Sequence, residues 1–298
     1  MRVPRPTEPT PGLHHWPQRD HSRFVTAAGR RWHVQVGGNG PALLLLHGTG
    51  ASSHSWRDLT PVLARHFTVI APDLPGHGLT EMPPLALLSL PAMAWGLRAL
   101  LAAMRVSPAL AAGHSAGAAI LARMCLDGAI APRILVSVNG AMLPMGGLAG
   151  QVFAPVARLF ALSPVVPALF AWRAADRAAV ARMLRGTGSA LSEDGIAQYA
   201  RLLRQPGHVQ AALGMMARWD LAPLERDLRT LRTRLLLVVG ENDRAILPTE
   251  AGRVRALVPS AEILRLPGLG HLAHEEDPAR VIAIILHAAR DAGALAAD

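Results

Sequence analysis

The sequence predicts an α/β protein with a mostly parallel, doubly wound sheet and an inserted helical lid. Short, continuously apolar runs recur along the chain, and such runs are typical of strands buried on both faces of a parallel sheet. Helix-like stretches separate these runs with short connections, which is the alternation expected of βαβ units. One long region lacks strand-like runs and interrupts the alternation, which predicts the lid.

Eight segments are predicted to form the sheet. Residues 24–27 and 32–36 flank a turn that contains Gly29, which favours an antiparallel pair. The six buried strands are predicted at residues 43–46, 67–71, 109–112, 134–138, 235–239 and 262–266. Helices outside the lid are predicted at residues 53–65, 90–104, 115–127, 249–258 and 278–290.

The predicted organisation is a Pro-rich N-terminal tail (residues 1–22), a core (23–140 and 221–298) and a helical lid (141–220). Within the lid, helical pieces are expected at residues 156–162, 167–173, 175–184 and 195–203. The lid is unusually apolar. Two interpretations are open: the lid has a small core of its own, or it forms a pocket for a large hydrophobic ligand.

The formal net charge is +9, and every basic residue apart from histidine is an arginine, because the chain has no lysine. The arginines are scattered singly through apolar segments, so we expect no nucleic-acid binding. A diffuse positive surface suits anionic lipid or a carboxylated ligand. The single cysteine, Cys125, excludes an internal disulfide. With neither a secretory signal nor a bilayer-spanning run in view, we expect a cytoplasmic protein, with peripheral contact at the inner face of the membrane as an open alternative.

Residues 113–117 read Gly-His-Ser-Ala-Gly and lie between a predicted strand and a predicted helix. In that context G-x-S-x-G is typical of a nucleophile elbow, where a serine on a strained turn projects its hydroxyl clear of the sheet. Side chains in place of Gly113 or Gly117 would collide with facing backbone. Ser115 is therefore the candidate nucleophile, at a helix N-terminus that favours developing negative charge.

An acid and a base are expected late in the chain, in the order serine, acid, histidine. His271 lies in a Gly-rich loop after the last predicted strand and is the candidate base, whereas we expect its rival His274 to be a packing residue. Asp243 follows the preceding strand and is the candidate acid. Glu241 is its local competitor, and Asn139, at the other strand end that suits an acid, carries no charge.

An oxyanion hole needs two backbone N–H groups beside the serine. The first buried strand leads into His47-Gly48-Thr49-Gly50, where such a loop belongs. We expect the N–H groups of Thr49 and Ala116 to be the donors, and the His47 side chain to brace the loop.

Other polar residues receive structural interpretations. Asp73 and His77 follow a predicted strand in a segment rich in Pro and Gly, which favours a turn. The sequence shows no carboxylate cluster suited to magnesium. It also lacks the G-x-x-x-x-G-K-[ST] phosphate loop, since there is no lysine. We therefore expect no resident metal, no cofactor and no ATP hydrolysis.

In their order and spacing, these motifs resemble those of the α/β-hydrolase superfamily over about residues 24–290. Segments that the chemistry does not require resemble the magnesium-chelatase accessory proteins of bacteriochlorophyll biosynthesis in purple phototrophic bacteria. These segments are residues 16–17, 22–25, 31–35, 48–59, 184–189 and 214–221. The resemblance implies a role near magnesium insertion into protoporphyrin IX, with protoporphyrin as a lipophilic ligand and chelatase subunits as partners.

The sequence supports three functional hypotheses. The first is a serine hydrolase that acts on an ester of a tetrapyrrole or another lipophilic compound and assists magnesium insertion. The second is a porphyrin-binding or handover module that kept the fold without catalysis. The third is a general carboxylic-ester hydrolase, or a haloperoxidase-like enzyme without a cofactor, unrelated to tetrapyrroles.

Overall fold

The computed structural model describes residues 13–144, 160, 163 and 165–296. These residues form an eight-stranded sheet in the order β1-β2-β4-β3-β5-β6-β7-β8. The strands are β1 (Ser22–Ala27), β2 (Arg30–Gly37), β3 (Ala42–Leu46), β4 (Thr68–Pro72), β5 (Leu110–His114), β6 (Ile134–Val138), β7 (Arg234–Gly240) and β8 (Glu262–Leu266). β2 is antiparallel to β1 and β4, and the remaining neighbours are parallel. The predicted fold class is confirmed.

Helices cover both faces of the sheet, which is why the central strands β3 to β7 are mostly apolar and buried. They are α1 (Thr60–Leu63), α2 (Leu90–Met104), α3 (Ala116–Leu126), α4 (Val165–Arg173), α5 (Arg177–Gly186), α6 (Glu193–Leu203), α7 (Pro206–Ala217), α8 (Ala222–Asp227), α9 (Glu250–Leu257), α10 (Ala273–Glu276) and α11 (Pro278–Asp291). On β3, Leu44 and Leu46 belong to the core cluster with α2 and α3, whereas Leu43 and Leu45 belong to the cluster with α11.

The single helix predicted over residues 53–65 is wrong. The structure has a 3₁₀ helix at Ser53–Trp56 and the short helix α1. Proline has no N–H to donate within a helix, so Pro61 fits only the first turn of a new one. All four residues of the 3₁₀ helix are buried, and tertiary packing therefore decides the conformation of this segment.

The part of the Pro-rich N-terminal segment that the structure describes lies against the core. The Trp16 side chain is buried, and its Nε1 donates a hydrogen bond to Ser53 Oγ at 3.1 Å. Gln35 Nε2 on β2 donates to the Pro17 carbonyl. Residues 16 and 17 thereby contact the segments that lead towards the site.

The lid helices α4 to α7 lie between β6 and β7 in the chain. Helices α5 and α6 share a small apolar cluster, while Val166 of α4 packs on Val209 and Leu213 of α7. The helical piece predicted at residues 156–162 lies outside the described residues, apart from residue 160. The cluster of α5 and α6 also includes Ala51 and Leu272 of the core, so the lid packs on loops at the carboxyl ends of the strands.

Candidate active site

Ser115 occupies a sharp turn between β5 and α3. Its φ of 51° and ψ of −120° lie where residues other than glycine are strained. A Cβ at Gly113 would lie 2.6 Å from the Ala118 nitrogen, and one at Gly117 would lie 2.4 Å from the Leu46 carbonyl oxygen. Both positions therefore require glycine, and the close packing holds the half-buried Ser115 at the carboxyl edge of the sheet.

His271 and Asp243 form a buried imidazole–carboxylate pair. The His271 Nδ1–H donates to Asp243 Oδ2 at 2.8 Å, and the two residues are 9% and 3% exposed. The other carboxylate oxygen, Oδ1, accepts the backbone N–H groups of Ala245 and Ile246, each at 2.8 Å. The backbone therefore fixes the carboxylate with its Oδ2 directed at the imidazole.

The His271 loop contacts the elbow through the neighbour of Ser115. His114 Nε2 donates to the His271 carbonyl oxygen at 2.9 Å, and the two rings lie 4.7 Å apart. No hydrogen bond joins Ser115 Oγ to His271 among the described residues. Such bonds are often long without substrate and tighten when it binds. The structure links the His271 loop to the elbow through His114, and the pairing of Ser115 with His271 stays a prediction.

Asn139 contacts the predicted acid, Asp243. Sequence reasoning missed this contact. Its Nδ2 donates to Asp243 Oδ2 at 2.6 Å and to the Gly270 carbonyl at 3.2 Å, while its Oδ1 accepts from Gly240 N at 3.3 Å. With φ of 46°, it occupies the left-handed region that asparagine tolerates better than most residues. The sequence did contain a signal for this contact: Asn139 follows β6, and Asp243 follows the neighbouring strand β7, so both lie at the same edge of the sheet.

Glu241 and His274, the competing candidates for the acid and the base, have other roles. Glu241 is exposed beside the buried Asp243. His274 is fully buried, with Nε2 2.8 Å from Ser55 Oγ. Burial, followed by the nearby His271 and Arg57, lowers the pKa of His274 to about 3. A neutral His274 packed beneath the loop agrees with its expected packing role.

A buried acid, Glu275, joins the His271 loop to the rest of the molecule. It accepts hydrogen bonds from Ser55 Oγ at 2.5 Å, from Arg57 at 2.6 Å and from the hydroxyl of Tyr199 at 2.7 Å. Burial raises the pKa of Glu275, although Arg57 acts in the opposite direction. Sequence reasoning missed this group because the three partners lie 76 to 220 positions from Glu275 along the chain, which leaves no local pattern.

The loop after β3 lies directly against the elbow. A Cβ at Gly48 would be 2.9 Å from Ser115 Cβ. His47 braces this loop: its Nδ1–H donates to the Gly48 carbonyl at 2.8 Å, and its Nε2 accepts from Leu74 N at 2.9 Å. Thr49 follows, half-buried, and Ala116 begins α3, where an N–H has no acceptor within the helix. Both predicted oxyanion donors thus belong to segments that adjoin Ser115.

Helix α7 of the lid lies over this loop. His208 Nε2–H donates to the Gly50 carbonyl at 3.0 Å, and its Nδ1 accepts from Gly78 N at 3.1 Å. Thr49 Oγ1 lies 3.4 Å from Met215 Sδ. Burial lowers the pKa of His208 to about 4, so the neutral ring holds the lid to the loop at ordinary pH.

The lid segment between α5 and α6 links the loops of the acid and the base. The Thr187 carbonyl accepts from Arg244 N at 3.0 Å, and Ser189 Oγ accepts from Leu272 N at 2.8 Å. Gly188 has a φ of 89°, and a Cβ there would overlap the carbonyl of the acid loop. This segment lies within the motif at residues 184–189, so that motif has a structural role at the site.

Asp73 stabilises a turn, as expected. Its carboxylate accepts from Ser53 N at 2.7 Å and Leu79 N at 2.9 Å, and it pairs with His33 at 2.7 Å. Burial alone would raise the pKa of Asp73, but the His33 ring and the donated hydrogen bonds hold it well below its usual range. His77 Nδ1–H donates to a carbonyl of the same turn.

Across the described residues, no cluster of three or more His, Cys, Asp or Glu side chains could hold a metal ion. In the same part of the chain, no helix is both long enough and apolar enough to cross a membrane.

Comparison with known proteins adds to this geometry. A sequence model of the alpha/beta hydrolase family matches residues 43–284. The chain is 38% identical over 268 residues to the magnesium-chelatase 30 kDa subunit of Rhodobacter capsulatus, covering 87% of this chain and 91% of that protein. It is 30% identical over 285 residues to an uncharacterized protein of Mycobacterium tuberculosis, covering 88% and 79%. Among solved structures, an alpha/beta hydrolase fold protein from Burkholderia ambifaria is similar with a TM-score of 0.73, at 27% identity over 90% of this chain and 100% of that one.

Proposed function

The chain belongs to the alpha/beta hydrolase family, and from that premise we propose that it is a serine hydrolase that cleaves an ester of a lipophilic compound. One observation carries this proposal: the buried pair of His271 and Asp243, 2.8 Å apart, is linked through His114 to the strained elbow that holds Ser115. A bare scaffold has no need of a strained serine next to an oriented imidazole.

The proposed reaction proceeds in two stages. Ser115 Oγ attacks the ester carbonyl carbon while its proton passes to His271 Nε2, and a tetrahedral oxyanion forms. His271 then gives this proton to the leaving alcohol as the C–O bond breaks, which leaves an acyl group on Ser115. A water molecule, deprotonated by His271, attacks the acyl group in the same way and releases the carboxylic acid and the free serine.

The supporting residues act through His271 and the developing oxyanion. Asp243 accepts the Nδ1–H, so Nε2 is the free atom that takes up the serine proton. Asn139 donates to the same carboxylate oxygen and fixes its direction. The N–H groups of Thr49 and Ala116 would stabilise the oxyanion, aided by the N-terminus of α3.

The physiological setting that we propose is magnesium insertion into a tetrapyrrole, in cooperation with chelatase subunits. Its support is the 38% identity with the magnesium-chelatase 30 kDa subunit over most of both chains. A protoporphyrin derivative is large, flat and apolar, and it carries carboxylates that can be esterified, so it fits the proposed substrate class.

The test is genetic complementation. A bacteriochlorophyll-producing strain that lacks this gene would receive the wild-type gene, the Ser115→Ala variant or, as a matched control, a variant at the exposed Ser107 (Ser107→Ala). Protoporphyrin and magnesium-protoporphyrin would be quantified at equal protein levels. We expect wild type and Ser107→Ala to restore magnesium-protoporphyrin and Ser115→Ala to fail.

A second candidate function is that of a non-catalytic porphyrin carrier, and its support is the 38% identity with the magnesium-chelatase 30 kDa subunit. Restoration of pigment by Ser115→Ala would overturn the hydrolase proposal and favour the carrier. Titration of both proteins with protoporphyrin, followed by tryptophan fluorescence, adds a second readout, because a carrier must bind porphyrin with or without Ser115.

A further inference from the structure

The outer face of lid helix α4 is apolar and exposed. Val165, Leu169 and Trp172 are 68%, 54% and 71% exposed, and their spacing of four and three residues places them on one side of the helix. Pro167 and Ala174 point the other way and are buried. Exposed apolar side chains that cluster in this way, and are not scattered, mark an interaction surface.

Neighbouring lid helices show what an ordinary solvent face looks like in this protein. Exposed positions of α5 carry Arg177, Arg182 and Arg185 beside the apolar Met183, and those at the start of α6 carry Glu193 and Asp194. The outer face of α4 carries no charged or polar side chain before its last residue, Arg173. Its composition therefore suits contact with an apolar medium.

The end of α4 nearest Trp172 carries surplus positive charge. Arg173 and Arg182 both pair with the single carboxylate of Asp176, at 3.1 and 3.6 Å. Two guanidinium groups share one acid, so one positive charge stays uncompensated within this cluster. Apolar side chains bordered by arginine are the pattern of helices that lie in the interface of an anionic membrane.

We propose that the outer face of α4 docks on the surface of an anionic lipid bilayer. Val165, Leu169 and Trp172 enter the boundary between headgroups and acyl chains, and Arg173 and Arg182 contact lipid phosphates. The area favours lipid over protein. Three such side chains offer on the order of 300 Å² of apolar surface, against about 800 Å² that each partner contributes to a stable protein interface.

Docking through α4 would place the candidate active site next to the membrane. Helix α4 packs through Val166 on α7, and α7 contacts the Thr49–Gly50 loop through Met215 and His208. A lipophilic substrate dissolved in the bilayer would therefore be concentrated close to the site. The docking itself does not depend on catalysis.

Vesicle flotation tests this proposal with the full chain. The probes are phosphatidylcholine vesicles with and without phosphatidylglycerol, and the proteins are wild type, Leu169→Ser/Trp172→Ser and the matched control Trp95→Ser. Trp95 is 58% exposed and lies on α2, which is not part of the lid. We expect wild type and Trp95→Ser to float with the anionic vesicles, and the α4 double variant to bind at least about tenfold more weakly. Ser115→Ala should float like wild type, which separates docking from hydrolysis.

A second measurement covers the case in which the double variant fails to fold. Vesicles with brominated acyl chains should quench part of the wild-type tryptophan fluorescence, and Trp172→Phe should remove that quenching while Trp95→Phe keeps it. Four results would overturn the proposal: wild type stays in the aqueous fraction, neutral vesicles bind it equally well, Trp95→Ser weakens flotation as much, or the quenching survives Trp172→Phe. A wild-type dimer in light scattering that Leu169→Ser/Trp172→Ser makes monomeric, with flotation unchanged, would also contradict it.

Discussion

The loops that carry the candidate site and the outer face of α4 distribute polarity in opposite ways. In the loops, charged groups such as Asp243 and Glu275 are buried, and each is held by several hydrogen bonds. On α4, large apolar side chains such as Leu169 and Trp172 are exposed. Burying a carboxylate costs free energy unless it is paired, so the hydrogen bonds in the loops hold these side chains in fixed positions. The exposed apolar face of α4 has no such internal partners and suits contact with a surface outside the chain.

Among the variants of the candidate site, Asp243→Asn should have the largest effect on activity. The amide oxygen stays with the N–H donors of Ala245 and Ile246, so the amide NH2 faces His271 Nδ1 and donates to it. The imidazole then favours the wrong tautomer and cannot take the serine proton. We expect kcat for ester hydrolysis to fall by about 10⁴-fold with the fold intact. The control is Glu241→Gln, an exposed acid two residues away. Equal losses in both variants would contradict the assignment of the acid.

Glu275→Gln tests whether the buried network holds the base loop. The change removes the carboxylate to which Arg57 and the hydroxyl of Tyr199 donate, and of its carboxylate partners Arg57 keeps only the more distant Asp58 and Asp194. We expect the free energy of unfolding to drop by about 3 kcal/mol in urea denaturation. Glu262→Gln makes the same change in the exposed pair with Arg234 and should cost less than about 1 kcal/mol. If the two variants lose the same stability, the network has no special role.

Asn139→Ala should have a smaller effect on catalysis. Without the Nδ2 donor, the Asp243 carboxylate keeps its backbone hydrogen bonds but loses one that fixes Oδ2. We expect kcat to fall by about 10- to 100-fold, with KM little changed, by analogy with residues that orient metal ligands. Asn242→Ala, in the acid loop and exposed, is the control. A fall in KM alone, or no difference between the variants, would refute a positioning role.

Stability should also decline in mild acid, because buried histidines resist protonation. The pKa of His208 in the folded protein is about 4, below its ordinary value of 6.5. Between these values the unfolded state binds the proton and the folded state does not. The free energy of unfolding therefore falls as the pH drops below 6.5, by up to about 1.4 kcal/mol per pH unit for this histidine.

The measurement is a set of urea denaturation curves between pH 7 and pH 5. The variant His208→Gln should weaken the pH dependence, and His287→Gln, at an exposed position of α11, should leave it as in wild type. An unchanged slope in His208→Gln would show that the lid contact to the Gly50 loop contributes nothing to acid sensitivity.

The sequence predicted features that have a local signature. Continuous apolar runs located the central strands, because β3 to β7 are buried on both faces, whereas the edge strand β8 is only partly buried. The glycines around Ser115 indicated the elbow, because only glycine fits where a Cβ would meet backbone at 2.4 to 2.6 Å. The order of strand ends then placed Asp243 and His271 near the serine.

Features that depend on distant contacts were not predictable in this way. The segment at residues 53–65 reads as a helix, yet its buried position and Pro61 divide it in two. Glu275 accepts a hydrogen bond from Ser55, which lies 220 positions away in the sequence, and no sequence motif predicts that contact. Sequence reasoning considered the position of Asn139 only as a place for an acid and set it aside because asparagine carries no charge. Its hydrogen bond to Asp243 depends on the pairing of β6 with β7.

The most direct test of the central claim is covalent labelling of the purified protein with a fluorophosphonate, read by intact mass and peptide mapping. An activated serine forms a stable phosphonyl adduct, whereas an ordinary serine does not. We expect a single adduct on Ser115, formed by wild type and Ser107→Ala and abolished in Ser115→Ala. Absence of any adduct from folded wild-type protein, or the same labelling in Ser115→Ala, would contradict the claim that Ser115 is a catalytic nucleophile.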